Sequence, residues 1–137
     1  MMRDGKNNQG FAIGIDATLS GATPGTANAV DGRGYNSVTY HVFTGTVTDA
    51  GTAAGITWEL QESDDDSTYT AVADADLIGS ESDLAITSDD SDDAVIGKIG
   101  YIGTKRYTKL IPTGTAGTNA EVKAVAVLGL PDNAPVA

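Results

Sequence analysis

The chain has 137 residues, no cysteine, and 19 acidic against 8 basic side chains, which gives a net charge of −11. A chain of this length fits one domain and buries roughly two-thirds of the surface its unfolded form exposes, so it needs no cofactor or staple to fold. The missing cysteines exclude disulfides, thiolate zinc sites, iron–sulfur clusters and cysteine nucleophiles, and the acidic balance opposes nucleic acid, whose phosphates need a basic surface.

Met1 to Gly10 is polar and lacks the apolar core of a signal peptide. It reads as a flexible arm, because it can bury almost nothing to offset the entropy of ordering. Nowhere do about 18 apolar residues run together to span a bilayer. From residue 11 onward the pattern is that of strands. Phe11, Ile13 and Ile15 alternate with Ala12, Gly14 and Asp16 in a first strand, and Gly21 to Gly25 forms a turn. A short extended piece at Ala27 to Val30 ends in Asp31-Gly32-Arg33-Gly34, where glycine tolerates positive φ. Ser37 to Thr44 is the next strand, with Val38, Tyr40 and Val42 on one face, Thr39, His41 and Phe43 on the other, and both faces partly covered.

A Gly/Thr/Ala loop from Gly45 to Gly55 leads into a hairpin. Ile56, Trp58 and Leu60 face inward, Thr57, Glu59 and Gln61 outward, Ser63 to Ser67 make the turn, and Thr68 to Val72 returns. Leu77-Ile78 and Leu84-Ala85-Ile86 each anchor a short edge strand between acidic loops. Val95 to Ile102 and Lys105 to Ile111 pair as a second hairpin around Gly103-Thr104, stopped by Pro112. Glu121 to Leu130 is the last and most apolar strand, buried on both sides and central. The tail from 131 to 137 is extended and peripheral. No apolar stripe has helical period, so the expected fold is a single antiparallel β-sandwich or β-barrel over residues 11–130.

Charge is distributed as a dipole in sequence. The interval from Asp49 to Asp93 is acidic with no basic residue between Arg33 and Lys98, whereas Lys98, Lys105, Arg106, Lys109 and Lys123 lie in the last third. Asp64-Asp65-Asp66 and Asp89 to Asp93 offer hard oxygen ligands of the kind calcium takes. Counting either run as the start of an EF-hand places Ala75 or Gly100 where the bidentate glutamate belongs, so solvated turns are the expectation and no metal residue is assigned.

His41, the single histidine, sits mid-strand, and no Gly-x-Ser-x-Gly elbow occurs, so no catalytic residue is assigned and no enzyme is expected. Paired carboxylates for glycoside hydrolysis lack the aromatic platforms of a sugar cleft, because Trp58 faces the core with Ile56 and Leu60. Lys105, Arg106 and Lys109 make a small basic patch near Tyr101 and Tyr107 that fits either a solvated strand face or contact with an acidic partner.

Three segments carry a resemblance: Trp-Glu-Leu-Gln-Glu-Ser-Asp-Asp-Asp-Ser-Thr-Tyr-Thr-Ala-Val-Ala at 58–73, Tyr-Ile-Gly-Thr-Lys-Arg-Tyr-Thr-Lys at 101–109, and Gly-Leu-Pro-Asp-Asn-Ala-Pro-Val at 129–136. They resemble the small proteins of tailed bacteriophages encoded beside the major capsid protein and regarded as head decoration, or cement, proteins. The resemblance implies a β-rich protein bound in many copies to the outer surface of a virion head, often as trimers. Its partner would be the major capsid protein, with no membrane, nucleic acid or cofactor involved. The protein would be made in the host cytoplasm. The family has no chemical signature residues to carry over. On this reading Arg3 and Lys6 of the arm contact the shell, which a segment that orders on docking could wrap. Rival readings are another virion β-domain, of the tail tube, head–tail joint or a fibre, and a carbohydrate-binding or adhesion module.

Overall fold

The structure is a computed structural model that describes residues 5–133. In chain order its strands are β1 (Gly10–Ser20), β2 (Val30–Asp31), β3 (Tyr35–Asp49), β4 (Thr57–Ser63), β5 (Thr70–Ala71), β6 (Leu77–Ile78), β7 (Val95–Tyr101), β8 (Tyr107–Thr113) and β9 (Asn119–Pro131). They form two antiparallel sheets, one ordered β1-β9-β3-β7-β6 and the other β2-β8-β4-β5. The two sheets face each other across one apolar core, which makes the molecule a β-sandwich.

The core is organised around Tyr40. Its ring is fully buried on β3, and its hydroxyl meets Thr108 Oγ1 on β8 at 2.8 Å, a hydrogen bond that crosses from one sheet to the other. Burial raises the Tyr40 phenol well above its ordinary range, so it stays protonated. Room for the ring comes from small neighbours. Ala126 lies opposite Tyr40 on β9, and a Cβ on Gly14 would stand 2.9 Å from Tyr40 Cε1.

At Gly14 the register of β1 against β9 shifts, and the strand changes which face it presents. Ile15 and Leu19 point into the core, whereas Phe11 and Ile13 are 68% and 58% exposed. The expected alternation of Phe11, Ile13 and Ile15 on one face is therefore broken by the bulge. Strand β9 is central, as its composition implies, with Val122, Ala124, Ala126 and Leu128 buried. Its other side, with Val125 and Val127, is only half-buried.

Elsewhere the chain departs from the sequence pattern for local reasons. Strands β7 and β8 are not a hairpin: β7 is already flanked by β3 and β6, so residues 102–106 carry the chain into the opposite sheet. Pro112 does not stop β8 but pairs with Trp58 inside it. Its carbonyl accepts from Gly25 N–H at 2.7 Å, so its nitrogen faces that same loop and no ladder donor is missing on the β4 side. The return strand is only Thr70–Ala71, because the Asp65 carboxylate takes the N–H groups of Ser67 and Thr68 at 3.0 and 2.8 Å. Leu77–Ile78 is an edge strand as expected, but Glu81–Leu84 is a 3-10 turn capped by Ser80, and Ile86 makes a single bridge with Ile56. Residues 5–9 precede β1 as a turn closed by Asn8 N–H on Gly5 O, and Gly10 already belongs to the strand.

Strand β3 runs to Asp49 and absorbs the start of the expected Gly45–Gly55 loop. Beyond Phe43 it has no strand on the β7 side, and the acidic loop takes over. Thr44 N–H donates to Ala94 O at 2.9 Å, Asp92 accepts from Val47 N–H, and Asp89 accepts from Ala50 N–H at 2.7 Å. These aspartates satisfy backbone donors and are not simply solvated.

Gly14→Ala should cost about 1–3 kcal/mol in urea unfolding, since the added methyl meets a ring that is pinned at both ends. Tyr40→Phe should cost about 1–3 kcal/mol by leaving Thr108 Oγ1 buried without its partner. A stability within error of wild type for both would remove the Tyr40 contact from its central place.

Candidate functional site

The basic residues singled out from the sequence gather around the crossing from β7 to β8. Tyr101, the last residue of β7, is buried, and its hydroxyl donates to Glu62 Oε2 and accepts from Lys105 N–H at 3.0 Å. Burial, and then the Glu62 hydrogen bond, raise its phenol. The ring lies over Gly103, where a Cβ would come within 2.5 Å of the Tyr101 hydroxyl, so this turn needs glycine. Tyr101 thus ties the scaffold together at the crossing and also lines the groove beside it.

Lys105 and Arg106 follow on the outside of the same crossing. Lys105 pairs with Asp64 of the β4–β5 turn, which raises the lysine. Arg106 grips Asp31 with two hydrogen bonds, Nε to Oδ1 at 2.9 Å and Nη2 to Oδ2 at 2.7 Å. Its guanidinium carbon also stands 4.7 Å from the centroid of the Tyr107 ring. The Arg106 hydrogen bond holds the Asp31 carboxyl below its ordinary range. Lys109 lies on the outer face of the four-stranded sheet, with Nζ 4.1 Å from the centroid of the Tyr69 ring. Each of these three cations has a partner within the chain.

The structure therefore brings Tyr101, Lys105 and Arg106 together and sets Lys109 apart. Lys6 is exposed in the turn at 5–9, beside the groove formed by Ser37, Gly129 and Leu130. Arg3 lies outside the described residues. Between the Gly32–Tyr35 turn and the Gly103–Arg106 segment runs an open groove of about 540 Å³. Arg33 lines it, with its backbone N–H donating to Asp31 Oδ1 at 3.0 Å, and its guanidinium makes no ion pair among the described residues.

A second surface was not singled out from the sequence. On the outer face of the five-stranded sheet the register aligns Phe11 with Val127 and Thr39, Ile13 with Val125 and His41, and Phe43 with Val95. Val95 is 86% exposed, and Ile78 continues the row at the β6 edge. The face carries Lys98, Lys123, Asp16, Glu121 and, at the end of β3, Asp49 as its charges, with Lys123 3.7 Å from Asp16. The opposite sheet presents Thr57, Glu59, Gln61 and Lys109. The signal for the apolar face was present in the sequence as apolar residues on both sides of β9 and β3. The bulge that turns Phe11 and Ile13 outward was not.

Among the described residues no group of three or more histidines, aspartates and glutamates is arranged to hold a metal ion. The Nε1 donor of buried Trp58 has no hydrogen-bond partner among them. Glu81 is raised by burial while its Oε1 accepts the Leu60 N–H at 2.6 Å. No helix of the described residues is long and apolar enough to cross a membrane.

No known protein family and no curated protein sequence matches the chain. Among solved structures it is similar in fold to the PBSX exported protein XepA, with a TM-score of 0.56 and 15% sequence identity over 90% of this chain. The chain spans 38% of the length of XepA.

Asp31→Asn tests the Arg106 clamp. Asp31 has a depressed proton affinity in the folded state, so its contribution is present above the ordinary carboxylate range and is lost as the pH falls through the folded value. Both partners are over one-third exposed, which limits the pair to about 1 kcal/mol or less. Asp31→Asn should lower stability at neutral pH by no more than that and should flatten the acid limb of a stability-versus-pH curve. An unchanged acid limb would show that the pair contributes nothing.

Proposed function

We propose that this chain is a structural protein of a tailed-phage particle, an auxiliary decoration protein held in many copies on the outer surface of the head. Its partner is the major capsid protein, it acts as a homo-oligomer with a trimer favoured, and it performs no chemistry. The observation that carries this reading is the likeness in fold, over nine-tenths of the chain, to a protein of the phage element PBSX. The segments at 58–73, 101–109 and 129–136 support it by their resemblance to proteins encoded beside the capsid gene. The geometry is compatible with a passive role. Charged groups around the β7–β8 crossing are tied to one another, and Phe11, Ile13, Ile78 and Val95 are exposed on a sheet face rather than in a cleft.

One further observation favours a second reading. XepA is described as exported. A phage protein released from the cell outside the particle would share the fold without touching a capsid.

Gradient-purified particles and the particle-free medium separate the two readings. The decoration reading expects the chain to co-sediment with DNA-filled heads in an amount comparable to the capsid lattice, and to leave them without loss of the major capsid protein. Recovery from the particle-free medium alone favours export. Recovery from neither fraction ends both.

A further inference from the structure

We propose that the outer face of the five-stranded sheet seats a second copy of this chain. Strand β9 has apolar residues on both sides, as a strand in an internal layer does, yet the chain itself covers only one of them. Val125 and Val127 stay half-exposed, and the bulge at Gly14 adds Phe11 and Ile13 to the same open surface. Phe43 and Val95 extend it across β3 and β7. Apolar residues exposed on both sides of a row of Thr39, His41, Lys98 and Lys123, on a protein this acidic, leave the sheet one layer short of a closed packing.

Charge argues for a copy of the same chain as the missing layer. The molecule carries −11, so two copies repel each other across most of their surface. On this face Asp16, Glu121 and, at the end of β3, Asp49 are set against Lys98 and Lys123, leaving it within one charge of neutral. Glu121 is further held by Thr46 N–H at 2.9 Å. Copies can therefore approach through the β1-β9-β3 part of this sheet without the penalty that the loop at 62–66 would impose, the loop at 89–93 bordering the face only beyond Phe43.

The size also fits. Strand spacings of about 4.8 Å and a rise of about 3.3 Å per residue give β1, β9 and β3, paired over about ten positions, with the shorter β7 and β6 beside them, roughly 600 Å² of face. That is one side of an interface at the lower end of the stable range. The inference rests on the many-copy part of the reading above, and its test needs no phage particle, so the two can fail separately.

Sedimentation equilibrium and native mass measurement of the full chain at micromolar concentration test the proposal. The expected species is a multiple of 13.9 kDa. Ile13→Lys and Val95→Lys, each at an exposed position, should raise the dissociation constant about 30-fold or more while leaving far-UV circular dichroism and the unfolding midpoint of the monomer unchanged. Glu59→Lys, on the opposite sheet, should leave the assembly intact. A wild-type species of 13.9 kDa at a concentration of about 10⁻⁴ M, above the dissociation constant of a specific contact of this kind, overturns the proposal. Persistence of the multimer in both lysine variants overturns it too, as does a chain that stays monomeric and binds only a foreign protein through this face.

Discussion

The sandwich depends on a single large side chain placed where only small ones can surround it. Tyr40 fills the interlayer space between β3 and β8 and ties the sheets together through Thr108. A ring of that size on a central strand requires its neighbours to give way. Ala126 on β9 and Gly14 on β1 do so, and any Cβ at Gly14 would collide with the ring edge. Close packing of protein interiors leaves no slack to absorb the clash, so the constraint passes along the sheet to the edge strand.

The consequence appears at the molecular surface. Because β1 bulges at Gly14, its two ends present opposite parities, with Ile15 and Leu19 inside and Phe11 and Ile13 outside. A requirement of the core thus creates the apolar strip on the outer face of the five-stranded sheet. The other sheet meets no such constraint and keeps the ordinary pattern, with Trp58 and Leu60 inward and Thr57 and Glu59 outward. The two faces of one sandwich therefore differ in chemistry for a reason that lies between them.

Period-two alternation was enough to read the all-β class, the inward placing of Ile56 just before β4 and of Trp58 and Leu60 within it, and the central place of β9. These depend on local pattern, which the sequence carries directly. Pairing partners were not legible in the same way. The segments that became β7 and β8 are adjacent in sequence and joined by Gly103-Thr104, yet both edges of β7 are occupied by strands from elsewhere in the chain. The basic patch was legible as residues but not as chemistry. Nothing local to Lys105 or Arg106 reveals that Asp64 and Asp31 lie opposite them, 41 and 75 residues away.

The acidic composition, which from the sequence alone reads as solubility, has a structural share. Bulges and short strands leave backbone N–H groups without ladder partners, and a buried donor without an acceptor is costly. Carboxylates supply the missing acceptors. Asp89 and Asp92 serve the end of β3, Glu121 serves Thr46, Glu81 serves Leu60, and Asp65 closes the turn after β4. A sandwich built from irregular strands thus needs side-chain acceptors spread along its loops, and aspartate is the shortest that remains charged at neutral pH. The same groups leave much of the surface negative, so a region where acid and base balance, such as the outer face of the β1-β9-β3 layer, is the part of this chain that can come close to another like it.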